Sequence, residues 1–120
     1  PISLLSEQVD VKAYGGTMRL GKSETHLISG TRIRDIYEKA AIFERHRHRY
    51  EVNNRYRTAL SEGGLIISGV TPDYTLVEAL EWPNHPWGIG VQFHPEFQSK
   101  PIKPQPLFAG FVKAAIDYQL

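Results

Sequence analysis

The stretch Gly90-Val91-Gln92-Phe93-His94-Pro95-Glu96-Phe97 places two ionisable side chains directly after an apolar run. Residues 90–93 are typical of a buried strand, and Pro95, which has no N–H to give a ladder, suits the end of a strand. In an extended backbone, residues two apart point the same way, so we expect His94 and Glu96 to share a face. A carboxylate beside an imidazole fixes the ring tautomer and stabilises its protonated form, as the orienting acid of a catalytic triad does.

This pair needs a nucleophile before it can do triad chemistry, and the His-x-Glu spacing alone is better explained by a surface pair at a strand end. The 120 residues contain no cysteine. That composition excludes disulfides, thiolate metal ligands and a cysteine nucleophile within these residues.

The overall composition, with 41% apolar residues, 22% charged residues and a net charge of +1, is that of one soluble globular domain. No run of roughly 20 apolar residues and no signal peptide is present, so we predict a cytoplasmic protein with no membrane partner. The chain opens abruptly on apolar Ile2, Leu4 and Leu5. We therefore expect residues 1–120 to be the later part of a domain whose earlier part is missing.

Strand signals alternate with helix signals on both sides of the opening stretch. Three further segments are predicted as strands because turn residues bound them, the last two as an antiparallel pair: 17–21, 65–70 and 76–82. Together with the helices below, they predict an α/β fold with at least four strands and three helices.

The three predicted helices each have a start signal. Thr31 is an N-cap for a helix with Ile33, Ile36, Tyr37 and Ala40 on one face. Asn53 or Asn54 begins a second helix that Gly63-Gly64 closes. The last helix has Pro106 in its first turn and is predicted to bury five apolar side chains: Leu107, Phe108, Phe111, Val112 and Ala115.

Residues 41–52 carry an unusual arginine–histidine run, which we interpret as a strand. Its arginines (Arg45, Arg47 and Arg49) would line one face, and the other face would hold His46, His48, Tyr50 and Val52. Nucleic-acid binding is one explanation, but the net charge of +1 argues against it. A metal site from His46 and His48 with His94 is a second, although no acidic or thiolate ligand is suitably spaced. The third is that arginines pair with carboxylates, either structural ones or a small ligand.

The glycine-rich residues 15–21 could suggest a phosphate-binding loop. They lack the Gly-Lys-Ser/Thr ending of a P-loop and the spacing of a dinucleotide fingerprint. A tight turn is the preferred interpretation.

Four motifs, in order along nearly the whole chain, resemble the C-terminal part of the CTP synthase family. They are Gly-Gly-Thr-Met-Arg-Leu-Gly at 15–21, Glu-Arg-His-Arg-His-Arg-Tyr-Glu-Val-Asn at 44–53, Gln-Phe-His-Pro-Glu-Phe at 92–97 and Pro-Leu-Phe-Ala-Gly-Phe-Val-Lys-Ala-Ala at 106–115. His-Pro-Glu occurs throughout class I glutamine amidotransferases, whereas the first two motifs are narrower. The resemblance implies a partial class I amidotransferase domain, with a flavodoxin-like mixed sheet and flanking helices.

The resemblance also implies a glutaminase with a Cys-His-Glu triad, in which His94 and Glu96 are the catalytic histidine and acid. Arg49 falls where the family binds the carboxylate of glutamine, and Tyr50 would help to shape that pocket. Residues 6–14 lie where the family has a lid linked to GTP activation. No metal ligand is implied within the chain.

The remaining implications concern parts outside these residues. The nucleophile would lie in an N-terminal half of the domain. A separate synthetase domain would use ATP and Mg²⁺ to aminate UTP to CTP, and GTP would act as an activator. The parent enzyme would be a homo-oligomer. This chain would bind none of those cofactors and, without a cysteine, would be inactive alone. The alternative is a free-standing, non-catalytic relic that acts as a binding or interaction module.

Overall fold

The computed structural model describes residues 2–4, 19–48 and 50–118, and all statements below concern these residues. They form seven strands: β1 (Ile2–Leu4), β2 (Arg19–Leu27), β3 (Ala41–His48), β4 (Tyr50–Val52), β5 (Ile66–Val70), β6 (Val77–Glu81) and β7 (Ile89–Val91). Three α-helices accompany them: α1 (Arg32–Tyr37), α2 (Arg57–Glu62) and α3 (Pro106–Asp117). Two short 3-10 helices cover Asn54–Tyr56 and Pro95–Gln98. The predicted α/β fold is confirmed.

The helix starts follow the capping residues of the sequence. Thr31 Oγ1 accepts a hydrogen bond from Arg34 N at the start of α1. Asn53 caps the 3-10 turn that leads into α2, and α3 begins on Pro106. Helix α1 ends at Tyr37, because Glu38 adopts a left-handed conformation with φ 58°. Ala40 therefore lies beyond the helix that we predicted to contain it.

Five strands form the main sheet in the order β3-β2-β5-β6-β7, and β1 pairs with β4. Each ladder within the described residues is antiparallel, including the predicted pair of β5 and β6. The strand predicted over residues 17–21 has the wrong bounds, because β2 continues to Leu27. The sequence of β2 is mostly polar, yet its side chains alternate in burial: Thr25 and Leu27 are buried, whereas Lys22 is exposed. Residues 5–18, which include the predicted loop and Gly15-Gly16, lie outside the described residues.

The main sheet curls until its first strand meets the segment that follows its last strand. Gln92 N donates to Glu78 O of β6, and two residues later His94 N donates to Arg45 O of β3 at 2.7 Å. These two amides thus bridge strands that are three places apart in the sheet order. The curl is what brings residues 92–98 onto the free edge of β3.

The apolar core lies inside this curl and includes Leu27, Ile33, Ile42, Ala79, Phe93 and Leu107. The prediction for the last helix is wrong, since only Leu107 of its five apolar residues is buried. Phe108, Phe111, Val112 and Ala115 are exposed along α3. The 3.6-residue period of apolar side chains identifies an apolar face of the helix. It does not predict whether another part of the described chain packs against that face. No helix of the described chain has the length and apolar character needed to cross a membrane.

Candidate active site

The two residues singled out by the sequence meet directly after β7. His94 Nδ1 lies 2.8 Å from Glu96 Oε2, and the two side chains are 39% and 53% exposed. The carboxylate can only accept from the ring, so Nδ1 carries the proton and donates it to Glu96. Nε2 forms no hydrogen bond with any described residue. An oriented ring with one open nitrogen, accessible from solvent, is the form that accepts or delivers a proton in general acid–base catalysis.

The backbone reaches this geometry by a different route from the one predicted. We expected extended residues, with His94 and Glu96 on one face of a strand. Instead, β7 ends at Val91, and Pro95–Gln98 forms a 3-10 helix with His94 at its N-cap position. Pro95 at the first helical position fixes φ near the helical value and needs no hydrogen-bond partner for its nitrogen. The proline therefore begins a helical turn instead of ending a strand.

Glu96 is held in its ionised form by its neighbours. The hydrogen bond from His94, followed by that from the backbone N–H of Glu96 itself, lowers the pKa of the Glu96 carboxyl below its ordinary value. A lowered pKa keeps the carboxylate charged throughout the neutral range. A charged Glu96 in turn favours the tautomer of His94 that leaves Nε2 available.

The edge of β3 supports the segment that carries the pair. Besides the bond from His94 N to Arg45 O, the side chain of Gln98 donates to Phe43 O at 2.5 Å. The two carbonyls are two residues apart on one strand, so both point outward from the sheet edge. The aromatic ring of Phe97 lies against His94, with ring centroids 5.5 Å apart. The 3-10 turn is thus fixed at both ends to the strand that precedes Arg49.

Phe93 anchors the same segment from below. It is 3% exposed and packs edge-on against the His46 ring, with centroids 6.1 Å apart. The strand interpretation of residues 41–52 is confirmed up to His48, and so is the alternation of an exposed Arg45 with a buried His46.

His46 belongs to the buried core of the sheet. Its Nδ1 donates to Glu44 O at 3.1 Å, while Nε2 forms a short hydrogen bond with Glu78 Oε2. Both side chains are fully buried. Within the described residues, no three histidine, aspartate or glutamate side chains could hold a metal ion together.

With this geometry established, comparison with known proteins identifies the family. The model of the family Glutamine amidotransferase class-I matches residues 5–114. The chain belongs to that family.

The curated relatives of this amidotransferase chain include several CTP synthases. That of Roseobacter denitrificans is 61% identical over 101 residues, which cover 84% of this chain and 18% of the relative. That of Rippkaea orientalis is 56% identical over 117 residues, or 98% of this chain and 21% of the relative. The chain therefore spans about a fifth of the length of the curated relatives it matches.

Solved structures agree with the amidotransferase assignment. The glutaminase domain of Trypanosoma brucei CTPS, with bound acivicin, superposes with a TM-score of 0.87 at 36% identity, covering 99% of this chain and 47% of that one. A Thermoplasma acidophilum protein described as a GMP synthase subunit gives a TM-score of 0.65 at 14% identity, covering 98% of this chain and 49% of that one, which is a likeness of fold alone. The predicted fold class, part of a class I amidotransferase domain, is confirmed. The mixed sheet that the resemblance implied is not seen in the described residues, where each ladder is antiparallel.

The structure describes only part of the residues that the family resemblance predicts to bind substrate. Arg49 lies outside the described residues, as does the expected lid at residues 6–14. Tyr50 begins β4, but the structure describes only its backbone. Their assignment as substrate-binding residues stays a prediction.

Sequence reasoning missed a buried polar cluster next to the site. Tyr37 Oη donates to Glu44 Oε2 at 2.7 Å, and Gln105 Nε2 donates to both groups. Gln105 Oε1 also accepts from Leu107 N and so caps α3. One signal was available: Ile42, Glu44 and His46 alternate, so the side that buries Ile42 must bury Glu44 as well.

Burial is the first cause that raises the pKa of the Glu44 carboxyl, and the hydrogen bonds from Tyr37 and Gln105 only partly oppose it. Burial, followed by the hydrogen bond to Glu44, also raises the pKa of the Tyr37 hydroxyl. The cluster therefore favours neutral groups in the core of the fold.

Proposed function

We propose that this chain supplies the histidine and the orienting acid of a Cys-His-Glu glutaminase site within a CTP synthase. The observation that supports this most directly is the 2.8 Å contact of His94 Nδ1 with Glu96, which leaves Nε2 without a hydrogen bond to any described residue on a side chain that is 39% exposed. The sequence resemblance and the CTP synthase relatives supply the substrate, glutamine.

In the proposed reaction a cysteine thiolate attacks the side-chain amide carbon of glutamine. The carbon–sulfur bond forms, the carbon–nitrogen bond breaks, and ammonia leaves with a proton delivered through Nε2 of His94. Water then attacks the thioester, assisted by the same nitrogen, and releases glutamate with the thiol restored. Glu96 keeps the ring in the tautomer and orientation that both steps need.

The cysteine must come from residues other than these 120, which contain none. We infer that the 120-residue chain alone is inactive as a glutaminase. On this proposal the ammonia is used by a separate synthetase site with ATP, Mg²⁺ and UTP, activated by GTP, in a cytoplasmic and homo-oligomeric enzyme of pyrimidine biosynthesis. We assign no residue of this chain to those cofactors.

The test compares two nitrogen sources in the protein at its full natural length. We expect His94→Ala to abolish glutamine-driven CTP formation, because the proton carrier is lost. Glu96→Gln should reduce it less, since an amide oxygen can still accept from Nδ1 without stabilising the charged ring. Both variants should still make CTP from free ammonia, because that reaction needs no glutaminase.

A non-catalytic binding module is the competing function, favoured by the absence of cysteine from the chain. It predicts that His94→Ala leaves glutamine-driven synthesis unchanged. Equal loss of the glutamine and ammonia reactions would assign His94 and Glu96 to folding and would also refute the proposal.

A further inference from the structure

A concave site lies beside β3, next to the Gln98 end of the Pro95–Gln98 turn. It is a cleft of about 640 Å³ between β3, the end of α1 and the segment of residues 98–106. Neither His94 nor Glu96 lines it. Small-molecule sites in proteins are commonly about 300–1,000 Å³, so the cleft has the size for a metabolite.

The cleft gathers most of the lysines of the chain. Four of the six line it: Lys22, Lys39, Lys100 and Lys103. In the described part of the chain, none of the four ammonium groups takes part in an ion pair or hydrogen bond. The whole chain carries a net charge of only +1, so this concentration of uncompensated charge is local.

Glu44 is the single acidic residue among the described residues that line the cleft, and it offsets little of this charge. It is 3% exposed, its Oε1 has no hydrogen-bond partner among the described residues, and burial raises the pKa of its carboxyl. Charges gathered on low-dielectric walls focus their field into a cleft. The cleft therefore attracts anions.

The type of basic side chain in the cleft indicates which kind of anion the cleft suits. Among the arginines whose side chains the structure describes, none lines the cleft. Arginine offers a planar fork that matches carboxylates, whereas lysine acts as a point charge with rotatable donors. Several separate ammonium groups are better suited to the spread charge of phosphate groups than to one planar carboxylate.

The walls also offer apolar contact beside the lysines. Phe43 is 55% exposed and lines the cleft together with Ile42, Pro104 and Pro106. An exposed aromatic ring beside cations suits a ligand with a flat or apolar body next to its charge. We propose that this cleft binds a small organic phosphate, at a site separate from the His94–Glu96 pair.

Calorimetric titration of the protein with inorganic tripolyphosphate tests the charge requirement. We expect saturable binding at one site per chain, weakened by added salt. The double variant Lys100→Ala/Lys103→Ala should bind about tenfold more weakly or worse, since charge-assisted contacts of this kind are each worth up to about tenfold. Lys113→Ala is the matched control, because Lys113 lies on α3 in an ion pair with Asp117, outside the cleft.

Comparing the affinities of phenyl phosphate and inorganic phosphate tests whether the cleft also binds the organic part of the ligand. Phenyl phosphate should bind more tightly, and the exposed substitution Phe43→Ala should remove the difference. Equal affinities for the two ligands, equal losses in the cleft and control lysine variants, or no saturable binding would each overturn the proposal. None of these readouts depends on glutaminase activity.

Discussion

His94 has one ring nitrogen engaged by Glu96 and one that no described residue contacts. Because the pair is half-exposed, the contact itself adds little to stability, and its value lies in fixing the ring. Glu96 holds this tautomer of His94 only while its carboxyl is ionised. The hydrogen bond from His94 lowers the pKa of the Glu96 carboxyl and so keeps it ionised at neutral pH. The pair is therefore arranged for chemistry more than for folding.

The first residue-scale prediction concerns Arg49, which the family resemblance assigns to the carboxylate of glutamine. Removing a bidentate guanidinium should cost about 1.5–3 kcal/mol of binding, so Arg49→Ala should lower kcat/KM for glutamine by roughly one to two powers of ten. Arg49→Lys should restore part of the loss, since a point charge lacks the planar fork. Steady-state kinetics with glutamine measure both variants.

Ammonia-driven synthesis is the control and should be unaffected by either Arg49 variant. Arg45→Ala is the matched variant, because Arg45 is exposed on β3. If Arg45→Ala abolishes glutamine use while Arg49→Ala preserves it, the assignment of Arg49 is wrong.

A second residue-scale prediction follows from the raised pKa of Glu44. Below pH about 4.5, the ordinary glutamate value, the carboxyl is protonated in both the folded and unfolded states. As the pH rises, the unfolded chain ionises first and the folded state resists, so the free energy of unfolding falls until the pH passes the raised pKa of the folded state. Glu44→Gln lacks this penalty, and its stability relative to the wild type should increase between pH 4 and pH 7.5.

Chemical denaturation at both pH values measures this difference. Glu62→Gln, at an exposed position on α2, controls for the loss of one carboxylate charge. A Glu44→Gln variant whose stability relative to the wild type is the same at both pH values would show that Glu44 ionises as freely in the folded protein as in the unfolded one.

At the scale of elements, the edge of β3 supports the 3-10 turn that carries Glu96. Gln98 holds one end of Pro95–Gln98 to Phe43 O, and His94 N holds the other end to Arg45 O. Both carbonyls would otherwise be unpaired groups on an edge strand. The turn thus covers a sheet edge and gains a fixed position for its side chains at the same time.

Gln98→Ala should loosen this support without altering the His94–Glu96 contact. A neutral hydrogen bond contributes about 0.5–1.5 kcal/mol, and this one is exposed, so we expect about a two- to fivefold loss of kcat for glutamine with KM little changed. Gln92→Ala is the matched control, since Gln92 donates its backbone N–H to Glu78 O and its side chain forms no hydrogen bond within the described part of the chain. Similar kinetics for both variants would mean that the backbone bond from His94 holds the turn unaided.

Much of the element order was accessible from sequence because turns and caps have local causes. Thr31, Asn53 and Pro106 each mark a helix start that the structure confirms. The turn at Pro95 was not accessible, since proline serves equally as a strand end and as the first helical residue. Glu78 was not accessible either, because it meets His46 only through the curl of the sheet.

At the scale of the whole molecule, the outer face of α3 exposes several large apolar side chains. Phe108, Phe111, Val112 and Ile116 are all exposed on this helix, next to the half-buried Trp87. Contiguous apolar patches of this kind mark surfaces that associate.

We therefore expect the purified 120-residue chain to self-associate at micromolar concentration. Phe111→Asp should shift it towards monomer, because a buried charge opposes association. Sedimentation velocity over a concentration series measures this. Lys113→Ala, on the same helix but in an exposed ion pair, should leave the distribution unchanged. A monomeric wild-type chain with a sharp two-state melt would contradict the prediction and favour an independent module.

Because the curled sheet closes through the amide of His94, the exchange of this one backbone proton reports whether the sheet is closed. The amide of His94 is bonded to Arg45 O only while the segment after β7 lies against the edge of β3. If the curl opens, this proton exchanges with solvent, and His94 leaves its place in the same event. The exchange rate of a single amide in deuterated water would therefore report how often His94 is displaced from the edge of β3, with no substrate present.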